Sequence, residues 1–214
     1  MSYRYCLFDL DGTLTDPGIG ITNSVMYALR KFGISVSGRS ELDSFIGPPL
    51  GESFQKQYGF SEEQARQAVE YYREYFRAGG IFENTVYDGI PELLQALKHK
   101  GVTVALATSK PYEFAVQILR HFGLYPFFDY FGAATMDGSV SRKADVIARL
   151  LDQFGRVDPA SVLMIGDRAQ DIAGAKANRL PSAGVLWGYG SSEELQSAGA
   201  DHLLSVPSDL LALL

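Results

Sequence analysis

Two carboxylates stand two residues apart in Phe8-Asp9-Leu10-Asp11-Gly12-Thr13-Leu14-Thr15, at the end of the first apolar run of the chain, Tyr5 to Phe8. That run is short, aromatic-rich and closed by Gly12, the pattern of a buried β-strand that ends in a loop. Side chains two apart on a strand point to one side, so Asp9 and Asp11 can converge while Leu10 turns toward the core. Two such anions repel, by about 4 kcal/mol at about 4 Å and an effective dielectric of about 20, so the pair implies a cation, a shared proton or a division of roles.

The neighbouring residues narrow the chemistry. A calcium loop that begins at Asp9 needs Gly at its sixth position and Glu at its twelfth, where this chain has Leu14 and Gly20. Glycosidase carboxylates flank a sugar from different elements rather than standing two apart on one strand. What remains, beside a plain surface Asp-x-Asp turn, is a nucleophilic carboxylate with Mg²⁺ nearby and an acid/base next to it. In that scheme Asp9 attacks a phosphoryl group to form an aspartyl-phosphate, while Asp11 protonates the leaving alkoxide and then activates water.

The rest of the chain must supply the frame for these residues. From Asp88 onward, apolar strands alternate with helices, the signature of a parallel α/β sheet. The strands expected are Val102 to Ala107, a short one near Tyr130 to Ala134, Val162 to Ile165, Ala183 to Leu186 and His202 to Leu204. Helices are expected over 91–100, 111–122, 143–154, 172–178, 193–198 and 208–213, several of them stopped at a glycine. Residues 17 to 83 carry helices and no strong strand, among them a helix opened by the capping box Ser61-Glu62-Glu63-Gln64. The fold class is therefore α/β, a Rossmann-like parallel core made of 1–16 and 84–214, interrupted after its first strand by a helical insertion, 17–83.

Sites in open α/β sheets lie at the carboxyl ends of strands. The second such end carries Thr108-Ser109-Lys110 before Pro111, where a hydroxyl and the free N–H groups of a helix start suit a phosphate. Lys143 opens a helix, where the dipole disfavours a cation, so it is either solvated or recruited by an anion. The fourth end holds Gly166-Asp167-Arg168-Ala169-Gln170-Asp171. Asp171 could simply cap the following helix, whereas Asp167 suits a hard cation that needs more oxygen ligands than Asp9 alone.

Asp9-Leu-Asp11-Gly-Thr-Leu-Thr, Thr108-Ser109, Lys143 and Gly166-Asp167-x-x-x-Asp171, in that order, resemble the four motifs of the haloacid dehalogenase superfamily over essentially the whole chain. The insertion resembles the helical cap of its phosphoglycolate-phosphatase-like and 5'-nucleotidase-like branch. The resemblance implies Asp9 as nucleophile, Asp11 as acid/base, Thr108 as phosphate ligand and Lys143 as charge clamp. It also implies Mg²⁺ held by Asp9, the Asp11 carbonyl and Asp167, with help from Asp171. Two departures matter: the third motif reads Arg142-Lys143-Ala144 where relatives often have Lys-Pro, and Lys110 is a rival clamp.

Substrate choice is expected from the insertion, whose loop Ile46-Gly47-Pro48-Pro49-Leu50 resembles the family's specificity loop. Gly47, Pro48 and Arg73, with Ser109 on the core, are the substrate-binding candidates, and Asn23, Lys56 and Arg77 are further polar ones. Trp187 could line the cleft or cover the core. Cys6, the single cysteine, reads as a core filler.

A net charge of −6 argues against a nucleic-acid polymer as partner. Apolar stretches far below a membrane span and the absence of a signal peptide point to a cytoplasmic protein with no membrane partner. The expected substrate is a small phosphorylated metabolite, phosphoglycolate or a nucleoside 5'-monophosphate, handled by a monomer or weak homodimer. A phosphomutase would use the same residues, and a non-catalytic phosphate-binding regulator is the alternative outside enzymes. Dehalogenation needs neither a metal nor the second aspartate, so Asp11 and Asp167 argue against it.

Overall fold

The computed structural model describes residues 3–214. Two compact units emerge, Met1–Asp16 with Val86–Leu214, and Pro17–Thr85. In chain order the strands are β1 (Tyr5–Phe8), β2 (Thr15–Asp16), β3 (Thr85–Val86), β4 (Thr103–Pro111), β5 (Tyr130–Ala134), β6 (Val162–Gly166), β7 (Ser182–Val185) and β8 (His202–Leu204). The α-helices are α1 (Gly18–Lys31), α2 (Leu50–Tyr58), α3 (Glu62–Ala78), α4 (Ile90–His99), α5 (Tyr112–His121), α6 (Lys143–Phe154), α7 (Ala169–Ala177) and α8 (Ser192–Ala198).

Six strands form one sheet in the order β5-β4-β1-β6-β7-β8. Every pairing in it is parallel, and Phe8 lies opposite both Leu106 and Ile165. A sheet covered on both faces needs strands apolar on both faces. That is how β6 reads, with all five residues buried, and how β1 reads from Cys6 to Phe8. One side of the sheet is closed by Leu7, Ala105, Ala107, Val146, Ile147, Leu150, Met164 and Ala175. Cys6 is fully buried among such residues, as a core filler should be. The strand order turns at β1, so the residues after β1 emerge between the ends of β4 and β6, where open α/β sheets bind ligands.

In the unit Pro17–Thr85, α1 buries Val25, Ala28 and Leu29, and α3 buries Ala65, Ala68, Tyr72 and Phe76. The Ser61–Gln64 capping box forms with both of its bonds. Phe45, Phe54 and Phe60 make a chain of ring contacts that joins the elements flanking the Gly47-Pro48-Pro49 loop. Among the described residues no helix is long and apolar enough to cross a membrane.

Three expectations need correction. β4 does not stop at Ala107 but runs on through Thr108, Ser109 and Lys110 to Pro111, with a register shift against β5 after Thr108. These three residues therefore belong to a strand end rather than to a free helix start. The last element, Pro207–Leu213, is a 3₁₀-helix rather than an α-helix. The helix after Asp167 begins at Ala169, three residues earlier than the apolar pattern suggested, which puts Asp171 inside its first turn.

Candidate active site

Asp9 is the first residue past β1, held to the sheet by its N–H, which donates to the Ile165 carbonyl at 2.9 Å. The chain then turns tightly, with the N–H groups of Leu14 and Thr15 both donating to the Leu10 carbonyl, at 2.9 and 3.0 Å. Gly12 adopts φ 83° in this turn, and a Cβ there would collide with the Asp167 carboxylate, so only glycine serves. The turn buries both acids, leaving Asp9 4% and Asp11 7% exposed.

Each acid receives its own lysine. The Lys143 ammonium, at the first position of α6, lies 2.7 Å from Asp9 Oδ1 and 2.8 Å from Asp171 Oδ1. Both are ion pairs, and the directed hydrogen bond from this ammonium goes to the Ala107 carbonyl at 2.8 Å. Burial alone would lower the Lys143 pKa, but the Asp171 and Asp9 carboxylates outweigh it and hold the ammonium above its ordinary range. Its cation at a helix start is thus recruited by anions, and solvation is excluded by its burial. Lys110 is 2.5 Å from Asp11 Oδ2, in a pair formed across 99 residues of sequence. Burial raises the Asp11 pKa from its ordinary value, with Lys110 opposing and Asp9 adding to the rise. Thr108 is buried on the same strand end and its hydroxyl oxygen accepts the Lys110 N–H at 3.1 Å, while Ser109 is half-buried.

Asp167 and Asp171 come from the β6–α7 connection. Thr13 donates its hydroxyl to Asp167 Oδ1 at 3.3 Å, and the Tyr189 N–H donates to Oδ2 at 2.8 Å. Burial, followed by the Asp171 and Asp9 charges, pushes Asp167 up to about 8. Asp171 caps the helix, its Oδ2 accepting the Arg168 N–H at 3.1 Å, while its Oδ1 faces Lys143. Burial pushes Asp171 upward as well, against the pull of Lys143. Arg168 pairs with Glu194 at 3.0 Å.

Asp9, Asp167 and Asp171 each offer an oxygen, all within 4.8 Å of one another. Lys143 pairs directly with Asp9 and Asp171 but not with Asp167, and the three buried carboxylates make an all-oxygen donor set rich in negative charge. Mg²⁺ fits such a set.

This charge balance predicts an inverted pH profile for the protein stripped of metal. Between about 4 and 8 the folded chain holds a proton on Asp167 that the unfolded chain has released, so stability falls as pH rises across that window. The melting temperature in EDTA is expected to drop from about pH 5 to about pH 8. A flat profile in EDTA would contradict the clustering of charge.

Arg73 on α3 is ion-paired to Glu70 at 2.8 Å, and Asn23 donates to Glu83 at 2.7 Å. Gly47 has φ 102°, with Gly47, Pro48 and Pro49 half-buried, and Lys56 and Arg77 are exposed. The Trp187 indole N–H donates to the Thr13 carbonyl at 3.0 Å, so this side chain fastens the first loop. Sequence reasoning missed Thr13 as a partner of Asp167 and Tyr189 altogether. Thr13 lay inside the quoted motif, but nothing in a pattern marks which hydroxyl meets a carboxylate 154 residues away.

This arrangement, a parallel sheet with buried acids at its switch point, is that of a hydrolase family. A family model described as haloacid dehalogenase-like hydrolase matches residues 6–185. The chain belongs to the haloacid dehalogenase-like hydrolases, and it is an enzyme of the phosphatase class. A 5'-nucleotidase of Pseudomonas aeruginosa is 46% identical, over 100% of this chain and 95% of that one. The structure of a predicted phosphatase from Clostridium acetobutylicum superposes with a TM-score of 0.95 at 49% identity, covering 98% of this chain and 97% of the other. The tyrosine-protein kinase PtkA of Mycobacterium tuberculosis is 40% identical over 90% of this chain, which spans 65% of its length.

Proposed function

We propose that the protein hydrolyses a small phosphomonoester with Mg²⁺ through an aspartyl-phosphate on Asp9, and that nucleoside 5'-monophosphates or phosphoglycolate typify its substrates. The observation that carries this reading is Asp9 itself, a buried carboxylate at the switch point with Lys143 on one oxygen and two further acids beside it. The similarity to a 5'-nucleotidase over the whole chain supports the nucleoside monophosphate.

In the first step an Asp9 oxygen attacks phosphorus and the bond from phosphorus to the leaving oxygen breaks. Asp11 gives that oxygen a proton, a task suited to an acid whose pKa burial has raised. Asp11 then takes a proton from water, the water oxygen attacks the same phosphorus, and phosphate leaves with Asp9 restored. Lys143, through its charge, and the Thr108 hydroxyl proton hold the phosphoryl oxygens. Mg²⁺ would be held by Asp9, Asp11, Asp167 and Asp171 and would offset the repulsion between nucleophile and phosphate. A panel of nucleoside monophosphates, phosphoglycolate and p-nitrophenyl phosphate, assayed with Mg²⁺ and with EDTA, tests the reading, and undiminished hydrolysis in EDTA would overturn the metal's part.

The core recognises phosphate alone, so we assign the choice of leaving group to a cap formed by the inserted residues, through Gly47, Pro48 and Arg73, with Ser109 on the core. Substitutions at Pro48 or Arg73 are then expected to reorder kcat/KM among nucleoside monophosphates, sugar phosphates and phosphoglycolate, while slow hydrolysis of p-nitrophenyl phosphate persists. An equal loss on every substrate would remove the cap from substrate choice.

A further inference from the structure

The connection between β7 and α8, running from Leu186 to Ser191, takes no part in the steps above, yet it wraps the Asp167 carboxylate. Its start is anchored in the sheet, where the Leu186 N–H donates to the Leu204 carbonyl at 2.9 Å. Trp187 ties it to the Thr13 carbonyl, and Thr13 in turn donates to Asp167 Oδ1. The backbone of Gly188 and Gly190 passes so close that a Cβ at either would run into Asp167, so the fit admits no side chain. Between these glycines stands Tyr189. Its N–H donates to Asp167 Oδ2 at 2.8 Å, and its hydroxyl donates to Asp16 Oδ1 in a short hydrogen bond. Asp16 ends β2 and is the last residue of its unit before the chain enters Pro17–Thr85.

One residue therefore holds Asp167 with its backbone and Asp16 with its side chain. The amide is only as fixed as the anchors on either side of it, and on its own side chain the anchor is the phenol. A carboxylate whose second oxygen is held by a fixed N–H presents its lone pairs in one direction, which is what metal ligands need from their outer partners.

We propose that Tyr189 is a positioning residue that orients Asp167 for Mg²⁺, with Asp16 as its anchor. This rests on the reading above, in which Asp167 is one of the metal's ligands.

The test is a titration of the full chain with MgCl₂ alone, without substrate, followed by calorimetry and by the fluorescence of Trp187, the only tryptophan. Tyr189→Phe removes the hydroxyl and keeps the ring, and Asp16→Ala removes its acceptor. Each is expected to weaken Mg²⁺ binding by about tenfold, the low end of what an outer partner of a metal ligand contributes. The double variant is expected to be no weaker than either single one, because both delete the same bond. Asp16→Asn, which keeps an acceptor oxygen, is expected to bind within about twofold of the parent. A lower melting temperature for Tyr189→Phe with Mg²⁺ affinity unchanged would make Tyr189 a loop fastener only and overturn the proposal, provided Asp167→Asn has lost affinity. If Asp167→Asn binds Mg²⁺ as the parent does, the ligand assignment itself fails and the proposal falls with it.

Discussion

Replacing Asp9 with alanine is expected to reduce phosphomonoester turnover by on the order of 10⁴-fold or more, the scale seen when a nucleophile is deleted. The expectation follows from its placement. Asp9 is the first residue past the central strand, fixed by its bond to the Ile165 carbonyl, with the Lys143 ammonium 2.7 Å from its buried carboxylate. The variant leaves Lys143 paired with Asp171, so the fold keeps a partner for that charge. Asp9→Asn, nearly isosteric, guards against loss through misfolding. Asp11→Asn should cost less, about 10²–10⁴-fold, because it removes proton transfer and leaves the nucleophile in place. Initial rates on p-nitrophenyl phosphate, with a melting curve for each variant, decide the matter. Retained turnover in Asp9→Asn would contradict the mechanism.

The second large effect belongs to Lys143. Lys143→Ala strips the ammonium from two fully desolvated carboxylates at once, and removing one partner of a buried ion pair costs about 3–5 kcal/mol. In a chain of this size that is a fall in melting temperature of about 6–20 °C. The loss should shrink as pH is lowered, because Asp171, whose pKa burial raises, can then become neutral and no longer need the cation. Turnover should drop by about 10²–10³-fold, as when one fixed donor to a developing charge is deleted. Lys110→Ala uncovers only Asp11, so a smaller fall in both quantities is expected. A greater loss of turnover and phosphate affinity at Lys110 would reverse the assignment of the charge clamp.

What could be read from the sequence has a physical pattern. β1 and β6 were legible because strands buried on both faces must be apolar throughout, and the acids that follow each one stand out against that background. The start of α6 at Lys143 and both ends of α2 were legible because a proline or a glycine marks a boundary there or the apolar period begins. The end of β4 was not. Thr108, Ser109 and Lys110 look like a loop because they are polar, but β4 continues past its apolar stretch and carries the Lys110 ammonium to Asp11. β2 and β3, two residues each, are too short to leave any period. Pairings also escaped notice, since Lys110 meets Asp11 and Tyr189 meets Asp167 only once the sheet order brings distant segments to one rim. Trp187 was read as lining the cleft or covering the core, and its bond to the Thr13 carbonyl is what the structure adds.

A phosphoryl group is expected to reside on Asp9 during turnover. This is tested most directly by quenching the enzyme with acid during steady hydrolysis, reducing any acyl-phosphate with borohydride and mapping the product by peptide mass spectrometry. Reduction of an aspartyl-phosphate leaves homoserine, which is expected at position 9 and nowhere else. Homoserine at another aspartate, or full turnover with no reducible phosphoryl-enzyme, would contradict it.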